Sequence, residues 1–194
     1  MRVSLDHILL GYLRKPATGY DLGREFADGA RHFWFAELSQ IYPTLKRLEA
    51  KGWLKGRDAP SVRGPARRVY QITPRGRAAL ERWLRGGPHI GRERLAYIAQ
   101  AFFLDALNNP DDATDVVRRM QAVWRQKLAH LEAVDAEMTS DYGDPLDFPA
   151  EAFHPYTALR MGIHQYRAKL AWCQETLDRL AARAERADGV ATEA

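Results

Sequence analysis

The chain has 194 residues, of which 46% are hydrophobic and 28% charged, and a formal charge of +4. That length can bury a core without staples, and the single cysteine excludes an internal disulfide framework and argues against a cysteine-rich zinc site. No run of about 18 apolar residues suggests a membrane span, and MRVSLDHILLGYL is too short and interrupted for a signal peptide, so a soluble cytoplasmic protein is expected.

Residues 4–13 place Leu5, Ile8, Leu9, Tyr12 and Leu13 at helical spacing. Pro16 and Gly19 break that pattern. A second short helix fits residues 20–27, ended by Asp28-Gly29, and residues 32–35 are aromatic and irregular. A third helix fits residues 39–51, with Ser39 as its N-cap, Pro43 early in it and Gly52 as its stop. Ile41, Leu45 and Leu48 form its buried stripe, and Gln40, Tyr42, Thr44, Lys46 and Arg47 lie off it, mostly outward. Strands over 53–57 and 67–72 flank a polar loop holding Pro60, Gly64 and Pro65, a hairpin with a long tip. Alternation puts Arg68, Tyr70 and Ile72 on one face of the second strand and Arg67, Val69 and Gln71 on the other. Thr73-Pro74 reads as the N-cap and first residue of a fourth helix, running to about residue 84. Arg85-Gly86-Gly87-Pro88 is the clearest boundary in the chain.

Beyond it the pattern is helical. Residues 92–107 carry Leu95, Ile98, Phe102 and Ala106 on one stripe. A long helix follows Asn109, with Asp111 and Asp112 suited to its N-terminal dipole, and reaches residue 139. The last helix spans residues 150–187. Its apolar residues Tyr156, Leu159, Ile163, Tyr166, Leu170, Cys173, Leu177, Leu180 and Ala184 alternate spacings of 3 and 4, the seam of a coiled coil. At roughly 50 Å, such a helix is longer than a small domain is wide. Leu159, Ile163, Tyr166, Leu170, Cys173, Leu177 and Leu180 are therefore the expected dimerisation residues, packing on a second copy or on both that copy and the preceding long helix, although an intramolecular antiparallel helix pair alone would use the same stripe. The expected division is a domain at 1–88, a helical domain at 89–187 and a disordered tail at 188–194.

The charge follows this division. Residues 1–92 hold 18 Lys+Arg and 8 Asp+Glu, net +10, and residues 93–194 hold 11 and 17, net −6. A basic half joined to an acidic one suggests that the first meets a polyanion. Three helices, a two-stranded wing and a fourth helix are the order of a winged helix-turn-helix. The fold class is mainly α, with that head followed by an all-helical dimerisation domain. In such a head the third helix enters the major groove of double-stranded DNA and the hairpin reaches phosphates beside it. The candidate DNA contacts are Tyr20, Ser39, Gln40, Tyr42, Thr44, Lys46 and Arg47, with Arg63, Arg67 and Arg68 on the wing. Tyr20 and Tyr42 have an alternative as packing groups. Trp124, Tyr156 and His164 are candidates for a pocket for a small aromatic effector, against the alternative of ordinary core and surface residues. No P-loop, dinucleotide fingerprint, nucleophile elbow or metal-ligand spacing occurs, so no enzyme, cofactor or metal is expected. A winged-helix module that binds protein instead of operator DNA is the alternative function.

Three stretches, ILLGYLRKPATGYDL, IYPTLKRLEAKGWL and RRVYQITPRGRAAL, resemble the PadR-type transcriptional regulators. They carry Gly19-Tyr20, Ile41-Tyr42 through Leu45 and Leu48 to Gly52, and Tyr70, Thr73 and Gly76 at the family's spacing. RMGIHQYRAKLAW resembles the last helix of the family's longer-tailed branch, in which a helical domain makes the dimer. The resemblance implies a homodimeric regulator, usually a repressor, on a pseudo-palindromic operator. Some members respond to phenolic acids or other aromatic compounds.

Overall fold

The computed structural model describes residues 5–28, 36–60, 67–88, 90, 94–107 and 109–192. Arg63 and the aromatic run 32–35 lie outside the described residues. The chain divides into two compact units, Met1–Arg92 and Glu93–Ala194.

In the first unit, α1 (Leu5–Tyr12), α2 (Gly19–Asp28), α3 (Leu38–Ala50) and α4 (Pro74–Arg85) surround a sheet of β1 (Ala17–Thr18), β2 (Leu54–Ala59) and β3 (Arg67–Ile72). The sheet order is β1-β3-β2, antiparallel throughout, so a third strand joins the expected hairpin. Two residues are too few to show alternation, which is why β1 is invisible as a sequence pattern. Leu9, Leu10, Leu13, Leu22, Ile41, Leu45 and Leu48 are fully or almost fully buried in one core, with Tyr70 and Ile72 supplied by the sheet.

The start of α3 corrects one expectation. Glu37, not Ser39, is its N-cap. The Glu37 backbone N–H donates to Gln40 Oε1 at 3.2 Å, and the Ser39 hydroxyl donates to the Glu37 carboxylate at 3.2 Å. A Glu-x-x-Gln frame thus satisfies the helix start from two residues earlier. At the other end, Gly52 N–H donates to Glu49 O and Trp53 N–H to Leu48 O, the paired bonds of a Schellman stop. Thr73 caps α4 as expected, accepting from Gly76 N–H at 3.1 Å while its hydroxyl donates to Gly52 O at 2.7 Å. That second bond ties the exit of the wing to the end of α3.

The second unit holds α5 (Ala96–Phe102), α6 (Pro110–Tyr142) and α7 (Ala150–Thr192). The helix expected over 92–107 is shorter, and a 3-10 turn follows it at Leu104–Ala106. α7 runs past residue 187 into the stretch expected to be disordered. α6 and α7 lie antiparallel: Val117 and Trp124 pack with Cys173, and Leu131 packs with Leu159 and Ile163. Arg160–Asp135 (3.1 Å) and Arg167–Glu132 (2.7 Å) pair across them.

This arrangement gives the expected dimer seam a partner within the chain. Leu159, Ile163 and Cys173 are buried within a single chain, and Tyr166, Leu170, Leu177 and Leu180 pack partly buried on the same clusters. The preceding helix is long enough to cover the stripe and reaches it through a short connection. No association entropy opposes that intramolecular pairing. Among the described residues, no helix is long and apolar enough to cross a membrane.

Candidate nucleic-acid interface

α3 is amphipathic in a way that fixes what it can touch. Ile41, Leu45 and Leu48 anchor one side in the core, which leaves Ser39, Gln40, Tyr42, Lys46 and Arg47 exposed on the rest. Thr44 is not among them. It is only 5% exposed, because it sits three residues after Ile41 and four before Leu48, on the buried stripe itself. Its expected place as a DNA contact is therefore corrected to a core position.

Tyr42 is 44% exposed. Its ring lies over the start of α2, where a Cβ on Gly19 would come within 2.5 Å of Tyr42 Cε1. The Gly-Tyr pair thus has a steric reason: glycine lets the α3 tyrosine lie against the α2 backbone. Tyr20, beside it, is 61% exposed in the first turn of α2. Two tyrosine hydroxyls and the Lys46 ammonium are therefore carried on accessible α2 and α3 positions, where phosphate or base edges could meet them.

The start of α2 is reinforced by a reciprocal cap that the sequence analysis did not find. Asp21 N–H donates to the Thr18 hydroxyl oxygen at 3.1 Å, and Thr18 N–H donates to the Asp21 carboxylate at 3.0 Å. The Thr18 hydroxyl also donates to that carboxylate at 2.7 Å. These bonds, the hydroxyl's first, hold the Asp21 carboxyl below its usual pKa. The Thr-x-x-Asp spacing was the available signal.

Several basic candidates already have partners. Arg47 and Lys51 both pair with Asp6 on α1, Lys51 at 3.3 Å, and Asp6 is buried. Arg47 is thereby drawn toward α1. Arg68 donates to Glu49 and to Asp58, and its hydrogen bond lowers the Glu49 pKa while the two carboxylates raise that of the guanidinium. Tyr70 and Ile72 are buried and Arg67 and Gln71 exposed, as the alternation of β3 predicts. Among the described residues Arg67 forms no ion pair, and it stands at the loop end of the wing, opposite Ala59. Asp6 and Glu49 were both missed. An acid inside the apolar run Leu5-Asp6-His7-Ile8 was the signal for the first; for the second the sequence held none.

The three effector candidates are not brought together. Trp124 is buried with Val117 and Cys173, Tyr156 packs in the other cluster against Phe148, and His164 is exposed. A groove in this unit, lined by Leu104, Leu107, Leu177 and Ala181, includes none of them. Among the described residues, no group of three or more His, Cys, Asp and Glu side chains could hold a metal.

Known proteins resemble both halves of the chain. The model of the PadR-like transcriptional regulator family matches residues 8–82, and that of the virulence activator alpha C-terminal region matches residues 94–181. The chain is 27% identical to the negative transcriptional regulator PadR of Bacillus subtilis, over 91% of this chain and 97% of that one. The crystal structure of Bacillus subtilis PadR in complex with operator DNA superposes with a TM-score of 0.80 at 26% identity, covering 92% of this chain and 99% of that one. The structure of the same protein with p-coumaric acid gives 0.73 at 26% identity, covering 91% and 95%.

Proposed function

Because the chain belongs to the PadR-like family of transcriptional regulators, which bind operator DNA, we propose that it is a cytoplasmic repressor acting as a homodimer on a pseudo-palindromic operator. One observation carries the reading of the head. α3 is anchored by Ile41, Thr44, Leu45 and Leu48 and presents Gln40, Tyr42 and Lys46 to solvent, in a unit of strong positive charge. Gln40 and Tyr42 read base edges, Lys46 and Arg67 meet phosphates, and Tyr20 meets the backbone beside them. Ser39 supports the start of α3 through Glu37.

Beside the partly buried α7 stripe, a second face is open to the second copy. Ile98, Phe102 and Phe103 are 52%, 77% and 64% exposed on and just after α5. Large side chains clustered in this way mark an interaction surface. Release by a small aromatic effector is proposed on the strength of the p-coumaric acid held by the Bacillus relative.

The test is a mobility shift with DNA flanking the gene at two salt concentrations. Binding should fall steeply with salt, and Lys46→Ala should flatten the log–log salt slope by roughly 0.9 per protomer. Absence of any shift at low salt would favour the protein-binding alternative.

A further inference from the structure

We propose that Glu49 is a positioning residue that sets the wing against the recognition helix, with Arg68 held as its strut and not as a phosphate ligand. The proposal rests on the DNA-binding reading above and specifies how that head is held in register.

Glu49 lies in the last turn of α3. Its Oε1 accepts from the Gly56 N–H of β2 at 3.0 Å and from Arg68 Nη2 of β3 at 2.7 Å. Its Oε2 accepts from Arg68 Nε at 3.3 Å. The remaining guanidinium nitrogen, Nη1, donates to Asp58 on β2 at 2.9 Å. One carboxylate thus joins the recognition helix to both strands of the wing, and all three guanidinium nitrogens are engaged. The planar fork makes this geometry specific to arginine.

Gly56 fits the same device. A Cβ there would lie 2.6 Å from Glu49 Oε1 and 2.7 Å from Arg68 Nε, so only glycine lets the two close. Charge points the same way. Two carboxylates around one guanidinium leave the cluster net negative, a poor seat for phosphate. Beyond the two residues that β1 pairs, the wing is a two-stranded ribbon with little stability of its own. Tied to α3 at this point, it carries Arg67 at a fixed offset from Tyr42 and Lys46.

The test compares the full chain with Glu49→Gln, Arg68→Met and Gly56→Ala, each first confirmed folded by circular dichroism. The probes are a duplex that the wild-type chain selects from a random-sequence library, and the unselected library. Removing a carboxylate from a DNA-binding face ordinarily tightens binding. A strut predicts the opposite sign for the selected duplex: each variant binds it on the order of ten-fold more weakly. Binding to the unselected library is undiminished, and the salt slope stays that of the wild type. Glu49→Gln binding the selected duplex as tightly as wild type would overturn the proposal. So would an Arg68→Met slope flatter by roughly 0.9 per protomer, the mark of a lost phosphate contact. A wild-type chain that enriches no sequence would overturn the reading of the head, and the strut's part in recognition with it.

Discussion

In the first unit, buried side chains from four helices and two strands converge on a single core; in the second, they lie in two clusters along one helix pair. The difference shows in what stays outside. The first unit exposes Tyr20, Leu38 and Tyr42 on α2 and α3, and Leu84 and Ile90 near its C-terminal boundary. The second leaves Ile98, Phe102, Phe103, Val123 and Met161 at the surface. A two-helix layer cannot enclose its own apolar surface, so the first unit is built to hold a face rigid and the second is built to be covered.

The largest effect should come from matched core truncations. Leu45 is completely buried in the first unit, and Leu131 is almost so in the second. Leu45→Ala should cost about 4 kcal/mol, because elements on every side prevent the cavity from collapsing. Leu131→Ala should cost less, about 3 kcal/mol, because a helix pair can close on the gap. Urea unfolding of the two variants measures the difference. Equal or reversed costs would break the comparison.

Next in size is the effect of charge on the exposed set. Phe102→Asp with Phe103→Asp should shift the chain to monomer in sedimentation and leave its melting temperature nearly unchanged. Leu170→Asp should instead lower the melting temperature, because Leu170 packs on the Val117–Cys173 cluster within one chain. Monomeric wild type at micromolar concentration would remove the reason for the contrast.

How much of this was legible follows from the same two regions. The stripe Ile41, Leu45, Leu48, the Thr73 cap and the face assignment of β3 were all readable, because each depends on neighbours within a turn or a strand. Thr44 was misplaced although its spacing puts it on the stripe; its polar side chain outweighed its position. The pairings of Asp6 with Arg47 and of Glu49 with Arg68 span 41 and 19 residues, and nothing local encodes them. The α7 seam was visible as a stripe, but a stripe names no partner. A 3-4 repeat serves a neighbouring helix of the same chain as well as a second copy.

The smallest effect tests the start of α2, where Asp21 holds the turn that carries Tyr20. Hydrogen bonds from Thr18 keep the Asp21 carboxyl below its ordinary pKa, the hydroxyl contributing most. A lowered native pKa means that the ionised form is the stabilising one. Its contribution is complete above the unfolded carboxyl's pKa and fades as pH falls through the native value. Asp21→Asn should therefore destabilise the chain at neutral pH by roughly 0.5 kcal/mol, the range of a carboxylate at a helix N-terminus. As the pH drops below the carboxylate range, wild-type Asp21 gains a proton and the two proteins should converge, while the other acids titrate alike in both and cancel. Urea midpoints at neutral, mildly acidic and strongly acidic pH would follow the gap. A gap that persists unchanged in strong acid would assign the loss to side-chain shape and remove the charge from the account of how Tyr20 is presented.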